Sequence, residues 1–525
     1  MPRPHHIERR IHRGSPQITF WILDVRISAH HPQKNGLQHV FGVRRIARNP
    51  VRSAEHHPVM RFVHLIERFH HCVGEHLPVK TAASLDYYTG GVTRRQLLAL
   101  ASLNALKAQE NTDYKLLIDH ISLEIAPKTI IKTTGYNGNS PGPLLRMKEG
   151  RPVTIQVNNA TSEPEIVHWH GLHIPSNVDG SMEEGTPMIQ PRGTARYSFT
   201  PAPSGTRWYH THVMAMRNLA RGGYSGQFGF IYIEPKQEPG AFDQEVFLAL
   251  REWDPFFATS DDGMDVAYKR CSINSHALGF GEPVRVKQGQ RVMLRILNAS
   301  ATMQRRIAFA GHSFTVLAMD GNPVASPKIV SILELGPAER IDALVEMNRP
   351  GIWILGATDD RDRKTGLGIV FEYSGQSVAA QWVTPSKERW DYTIFGKPGN
   401  DEPAEKIPFV IEKVFAGTRW VDKWAINGKT WPKTDPIKVR EGKRYRLVFD
   451  NRSDEAHPLH LHRHTFELKS VAGVPTSGVY KDVVVVPAKS IVEVDFTADN
   501  PGKTLIHCHQ QMHMDYGFMS LIEYA

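Results

Sequence analysis

Three stretches of this 525-residue chain repeat one another, and they constrain its fold more tightly than anything else in the sequence. They are Glu149-Gly150-Arg151-Pro152-Val153-Thr154-Ile155-Gln156-Val157-Asn158-Asn159, Gln288-Gly289-Gln290-Arg291-Val292-Met293-Leu294-Arg295-Ile296-Leu297-Asn298 and Glu441-Gly442-Lys443-Arg444-Tyr445-Arg446-Leu447-Val448-Phe449-Asp450-Asn451. Each reads as a glycine turn, an alternating apolar strand and a polar break. A second glycine recurs later in each copy, as Gly205, Gly351 and Gly502. Such self-similarity means one structural unit used three times in succession. The unit is strand-rich. Arg196–Phe199, Phe228–Ile233, Arg340–Glu346 and Ile491–Phe496 alternate or are β-branched and aromatic, as strands are. The fold expected is all-β, with three consecutive domains at 111–236, 237–375 and 406–525. A linker at 376–405 contains the Pro/Gly-rich Lys397-Pro398-Gly399-Asn400-Asp401-Glu402-Pro403.

The repeat also places the chemistry. Eighteen and twenty residues past the first glycine lie His168 and His170, then Ile307 and Phe309, then His460 and His462. Five and seven past the second lie His210 and His212, then Gly356 and Thr358, then His507 and His509. The outer domains thus offer four histidines each at equivalent positions, and the middle domain offers none. Eight imidazoles related by a pseudo-two-fold between two domains make an interdomain cluster. The third domain adds His457, Cys508 and His513, where the first has Glu165, Thr211 and Met216. Alternate residues of a strand face opposite ways, so Cys508 points away from His507 and His509. One strand can therefore serve two metal sites. A thiolate with imidazoles selects copper or zinc, and His2Cys is the set of a blue-copper electron-transfer site. Joining two sites through one strand suits electron transfer and points to copper. A lone His-x-His pair is commonly an ordinary strand feature, but four pairs at matching offsets read as metal spacing.

From about Asp113 to the C-terminus, these motifs resemble those of the three-domain multicopper oxidases, the laccase-like family, and all four family motifs are present. The resemblance implies cupredoxin-like Greek-key domains, four copper ions and dioxygen as a partner. It implies His457, Cys508 and His513 as type 1 ligands, and His168 with His460 as the type 2 pair. It implies His170, His210 and His509 on one type 3 copper, and His212, His462 and His507 on the other. Phe518 falls at the family's axial position. Phenylalanine cannot coordinate, and a missing axial donor favours Cu(I) and a high potential. The neighbouring Met519 is an alternative thioether donor. Asp179, in Val178-Asp179-Gly180, falls where family members keep a carboxylate near the type 2 copper; Asp-Gly is also an ordinary turn. The chain departs from part of the family at Gln510-Gln511-Met512, where some members carry an acid, and Glu183 and Glu184 are candidate substitutes.

Composition limits the partners. A net charge of +9 suggests nucleic acid or membrane at first sight. Residues 1–108 hold 16 Lys and Arg against 6 Asp and Glu, which leaves 47 against 48 for the remainder. The body is near neutral, so no nucleic-acid partner is expected. No apolar run is long enough to span a bilayer. Residues 1–92 read as a leader, disordered or upstream of the true start; its histidines lack periodicity, and metal capture is the other reading. Residues 93–110, opening on Thr93-Arg94-Arg95-Gln96-Leu97-Leu98, read as a twin-arginine-like signal, which predicts export to the periplasm. Cys72, Cys271 and Cys508 imply no disulfide framework, and Cys271 is expected as a lone thiol beside the start of a middle-domain strand. The reaction expected is one-electron oxidation of phenolic or other small aromatic reductants, coupled to reduction of dioxygen to water. Oxidation of Cu(I) for copper tolerance is the alternative, and a copper store or electron carrier is a third. The methionines Met182, Met188, Met214 and Met216 are scattered pairs, which tilts the reading towards organic substrates.

Overall fold

The structure, a computed structural model, describes residues 112–236, 241–259, 264–398, 405–415 and 422–525. The leader, the twin-arginine-like stretch and Cys72 lie outside the described residues. Six sheets form three pairs, and each repeat strand lies inside the first sheet of its pair. Val153–Asn159, Arg291–Asn298 and Arg444–Asn451 each pair in parallel with the strand that opens their domain: Tyr114–Ala126, Gln244–Phe257 and Glu405–Val414. On the other side each pairs antiparallel, with Thr194–Phe199, Arg340–Glu346 and Ser490–Thr497. The strands expected from sequence are therefore present. Alternation buries Val153, Ile155 and Val157 against the second sheet while Thr154 and Gln156 face outwards.

Two repeated residues explain why the unit holds its shape. Gly150, Gly289 and Gly442 have φ of +76°, +84° and +76° with open space around them, so the turn's left-handed backbone requires glycine there. Asn159, Asn298 and Asn451, the polar breaks, are buried. Each side-chain oxygen accepts the backbone N–H two residues on, from Thr161, Ser300 and Ser453. Each side-chain amide donates to a carbonyl beside the second sheet, at Ile189, Leu335 and Val486. One asparagine thus pins the loop that delivers each domain's second sheet.

Those second sheets are alike. Leu145–Lys148, Phe228–Glu234, Gly205–Thr211 and Val167–His170 form the first. Ile437–Val439, Met519–Tyr524, Thr504–Cys508, His457–Leu461 and Val483–Val486 form the third. The register puts His168 opposite His210 and His460 opposite His507. In the middle domain Ile307 pairs with Ala357, one residue past the Gly356 expected from the offsets. Gly351, the turn glycine just ahead of that strand, is one residue out of step with its counterparts, so the equivalent of His210 is Ala357. Ile307 and Phe309 are nonetheless buried, and the Phe309 ring packs on Phe371 at 4.5 Å. Apolar side chains fill the space that histidines take in the other domains. Cys271 is a buried free thiol inside the strand Val266–Ile273, near its end rather than beside its start. No helix among the described residues is long and apolar enough to cross a membrane.

Candidate metal centre

All eight cluster histidines converge between the first and third domains. His168 comes within 3.4 Å of His460, Nε2 to Nε2, and His170 Nδ1 within 3.4 Å of His210 Nε2. His462 Nε2 and His507 Nε2 lie 3.1 Å apart. Possible ligand atoms of His168, His460 and His462 fall within 4.8 Å of one another, as do those of His168, His170 and His210, and of His212, His462 and His507. The ring of His509 lies 5.1 Å from that of His210 and 5.2 Å from that of His170. Seven of the eight are buried and His509 is half-buried.

The nitrogens that face away from the cluster are held. His168 Nδ1 donates to the Asp179 carbonyl at 2.9 Å, His210 Nδ1 to Thr211 at 2.8 Å, His460 Nδ1 to Asp482 at 2.8 Å and His507 Nδ1 to Cys508 at 2.9 Å. His462 Nδ1 donates to Asp179 Oδ2 at 2.9 Å. His170 is turned the other way, and its Nε2 donates to Asp482 Oδ1 at 3.0 Å. Such outward bonds fix tautomer and ring aim in metal sites. His212 Nε2 and His509 Nε2 are buried with no hydrogen-bond partner. Two orphaned ring nitrogens inside a histidine cluster are accounted for by a metal ion. Burial lowers every one of these pKa values, that of His168 to about 4, so the rings are neutral and carry free lone pairs at physiological pH.

A second donor set lies on the other face of the same strand. Cys508 Sγ is 3.8 Å from His457 Nδ1 and 3.6 Å from His513 Nδ1, and the two imidazole nitrogens are 3.2 Å apart. His457 Nε2 contacts Ser453 Oγ at 2.8 Å, and His513 Nε2 contacts Glu455 Oε2 at 3.3 Å. Burial raises the Cys508 thiol far above its ordinary range, so a bound cation is what favours the thiolate. Phe518 lies over this set, its ring 5.1 Å from that of His457, and its side chain belongs to the same apolar cluster as Cys508 and Met512. Met519 faces elsewhere, packing with Leu505, Met514 and Leu521, and is not brought to the thiol. Soft thiolate with imidazole on one face, and an all-imidazole cluster on the other, suit copper.

Asp179 ends a short 3-10 turn, Ser176–Val178, whose path is set by Gly180: a Cβ there would sit 1.9 Å from the Val167 carbonyl. The Asp-Gly pair therefore does more than turn the chain, since it presses the carboxylate against the ligand strand. Glu184 is buried beside it, accepting from Leu505 N at 2.7 Å and contacting His462 Nδ1 at 3.3 Å. Burial raises both carboxyls, Asp179 to about 7, and Asp179's charge lifts Glu184 further. Glu183 is half-buried and accepts from Ser181 Oγ instead.

Sequence reasoning missed four groups. Asp482 holds His170 as described. Asp515 accepts from Gln511 Nε2 at 2.9 Å, and burial raises its pKa to about 7, so an acid does stand one helical turn beyond the Gln510-Gln511-Met512 gap. Trp424 packs its ring 4.4 Å from His457 and 4.5 Å from His513. Arg340 clamps Asp482 from the middle domain. The only sequence signal for Asp515 was helical spacing from Gln511; the others depend on tertiary packing. A cavity of about 30 Å³ borders the cluster, lined by His210, His212, His507, His509, Gln511 and Arg251.

Comparison with known proteins agrees with this geometry. Family models described as multicopper oxidase match residues 119–238, 260–376 and 406–524. The multicopper oxidase MmcO of Mycobacterium tuberculosis is 31% identical over 439 residues, covering 75% of this chain and 84% of that protein. A copper resistance protein A homolog of Pseudomonas syringae is 23% identical, over 84% of this chain and 97% of its own length. The solved laccase of Botrytis aclada superposes with a TM-score of 0.68 at 20% identity, over 78% of this chain and 87% of that one, which establishes the shared fold. With three cupredoxin-like domains, a His2Cys set and an eight-histidine cluster, this chain belongs to the multicopper oxidase family.

Proposed function

We propose that the protein takes electrons singly from small phenolic or other aromatic reductants and passes them to dioxygen, reducing it to water. In this reading His457, Cys508 and His513 hold the type 1 copper. His168 and His460 hold type 2 copper; His170, His210 and His509 hold one type 3 ion, and His212, His462 and His507 the other. When bound, copper supplies one-electron redox chemistry at the thiolate set and multielectron chemistry at the cluster. The observation that carries the reading is the strand Thr504–Cys508 with His509 directly after it, which places the thiol in one donor set and both flanking imidazoles in the other.

The chain's own groups have definable tasks. Phe518 and Trp424 keep the His457–Cys508–His513 set dry. Glu455 joins His513 to a surface groove of about 430 Å³, lined also by Lys413, Val414 and Arg452, where a small reductant can dock. Asp179 and Glu184, two buried carboxyls against His462, hold protons next to the cluster at neutral pH. The small cavity on the other side admits a molecule no larger than water or dioxygen.

A second reading, oxidation of Cu(I), is favoured by the name of the copper resistance relative. Against it, the strongly exposed methionines among the described residues are the single side chains Met182 and Met216. Export through the Thr93-Arg94-Arg95 segment belongs to the same proposal and suits either substrate. Oxygen uptake by the copper-loaded protein decides between them. Uptake with a methoxyphenol at a higher kcat/KM than with Cu(I) is the expected result; uptake with Cu(I) alone overturns the organic reading.

A further inference from the structure

His170 differs from His168, His210, His460, His462 and His507 in the ring nitrogen by which it is held. His168, His210, His460 and His507 turn Nδ1 outwards, and each is held by a backbone carbonyl. His170 turns Nδ1 inwards, towards His210, so its outward nitrogen is the far tip of the ring, Nε2. That nitrogen reaches a side chain of another domain, Asp482 Oδ1, at 3.0 Å. The Asp482 carbonyl also receives His460 Nδ1 at 2.8 Å, so one residue aims a histidine of the first domain and one of the third.

Asp482 is itself held from the middle domain. Arg340 grips it with both arms of its guanidinium, Nη1 to Oδ1 at 2.7 Å and Nη2 to Oδ2 at 2.6 Å, and Arg207 of the first domain adds Nη1 to Oδ2 at 3.3 Å. Arg340 is fixed in turn: its backbone N–H donates to Asp320 Oδ1 at 2.9 Å, and its side chain donates to the Ala338 and Asp320 carbonyls at 3.0 and 3.1 Å. Lys481, next to Asp482, enters the same region and pairs with Asp320 at 2.9 Å and Glu339 at 3.0 Å. Arg207, Arg340, Lys481, Asp320 and Asp482 are all fully buried. Buried ion pairs are weak contributors to net stability but hold geometry well. The middle domain carries no ligand, yet its arginine sets the carboxylate that sets a ligand.

We propose that Arg340 and Asp482 are positioning residues for the trinuclear copper set, through which the metal-free middle domain fixes the tautomer and aim of His170. The proposal rests on the cluster being that copper site. Changing an outer partner of a ligating histidine typically weakens metal binding about 10–100-fold. Arg340→Lys keeps the charge but cannot bridge both carboxylate oxygens. Arg340→Gln combined with Asp482→Asn removes both charges together, which avoids stranding either one in the interior.

The test is copper retention by the loaded holoprotein against a graded chelator, with the type 1 visible band and the type 2 electron paramagnetic signal followed separately. The double variant is expected to keep its type 1 band while losing trinuclear copper at about 10–100-fold lower chelator concentration, with Arg340→Lys between it and wild type. Trinuclear copper held as in wild type would overturn the proposal. Loss of type 1 and trinuclear copper together, at the same chelator concentration, would also overturn it, because it would show a clamp that only joins domains. Wild-type protein reports on the reading beneath: full copper there with unchanged variants refutes the clamp alone, whereas a wild-type cluster that takes up no copper refutes the site assignment.

Discussion

Glu165 stands in the first domain where the third has His457, and it shows what fills that position in a domain without the thiol set. Its carboxyl accepts from Thr211 Oγ1 at 3.4 Å and from Gln227 Nε2 at 3.3 Å, and Thr211 is the counterpart of Cys508. Burial is the main cause that raises its pKa from 4.5 to about 7. A carboxyl raised on folding is protonated in both states below about 4.5, and it costs stability progressively as pH rises to about 7, by about 3 kcal/mol in all. Glu165→Gln should therefore raise the thermal midpoint relative to wild type by an amount that grows between those pH values and then levels; a difference independent of pH would refute the assignment. Phe518 is the matching case on the metal-bearing side. Phe518→Met places a thioether over the His457–Cys508–His513 set, and the type 1 potential should fall in a redox titration. An unmoved potential would mean that this side chain does not reach the axial position. Its place beside Cys508 was legible only through the family resemblance, which puts the axial position five residues past His513. That Met519 points away was not, because which of two neighbours faces the thiol depends on strand register.

At the scale of the element, the strand Thr504–Cys508 carries the argument, since alternation puts its thiol and its His507 imidazole on opposite faces. Cys508→Ser should abolish the visible thiolate-to-copper band and substrate oxidation while copper still loads into the cluster and the protein stays folded. A blue, active variant would sink the assignment. The ligand-free strand Arg305–Phe309 is the control. Ile307→Ala or Phe309→Ala should lower stability by about 2–5 kcal/mol without changing copper per chain, because these side chains fill a core. Copper loss from a well-folded variant would contradict that. The strands and their repeat were readable because apolar alternation and turn glycines are local. The one-residue offset that pairs Ile307 with Ala357 was not, since counting from Gly351 assumes equal turns. Nor was the role of Asn159, Asn298 and Asn451, which read as mere breaks and proved to be buried pins.

Across the whole molecule, three copies of one β unit divide the work. The outer two share the histidine cluster, the third adds the thiol, and the middle one lends buried charge. Matching offsets in the sequence revealed the first two roles. The third was hidden, because Arg340, Asp482 and Arg207 are far apart in the chain and meet only when the domains pack. The carboxyl pair of Asp179 and Glu184 was half visible: Asp179 from its motif, Glu184 only as one of two neighbouring acids until burial separated it from Glu183. The central claim is that electrons collected one at a time at the Cys508 set are delivered together to dioxygen at the cluster. The most direct measurement is the electron count of turnover, made with the copper-loaded protein and a one-electron phenol donor while oxygen, oxidised donor and hydrogen peroxide are followed together. Four donors oxidised per dioxygen with no free peroxide is the result the account predicts. Two donors per dioxygen with peroxide accumulating would contradict it.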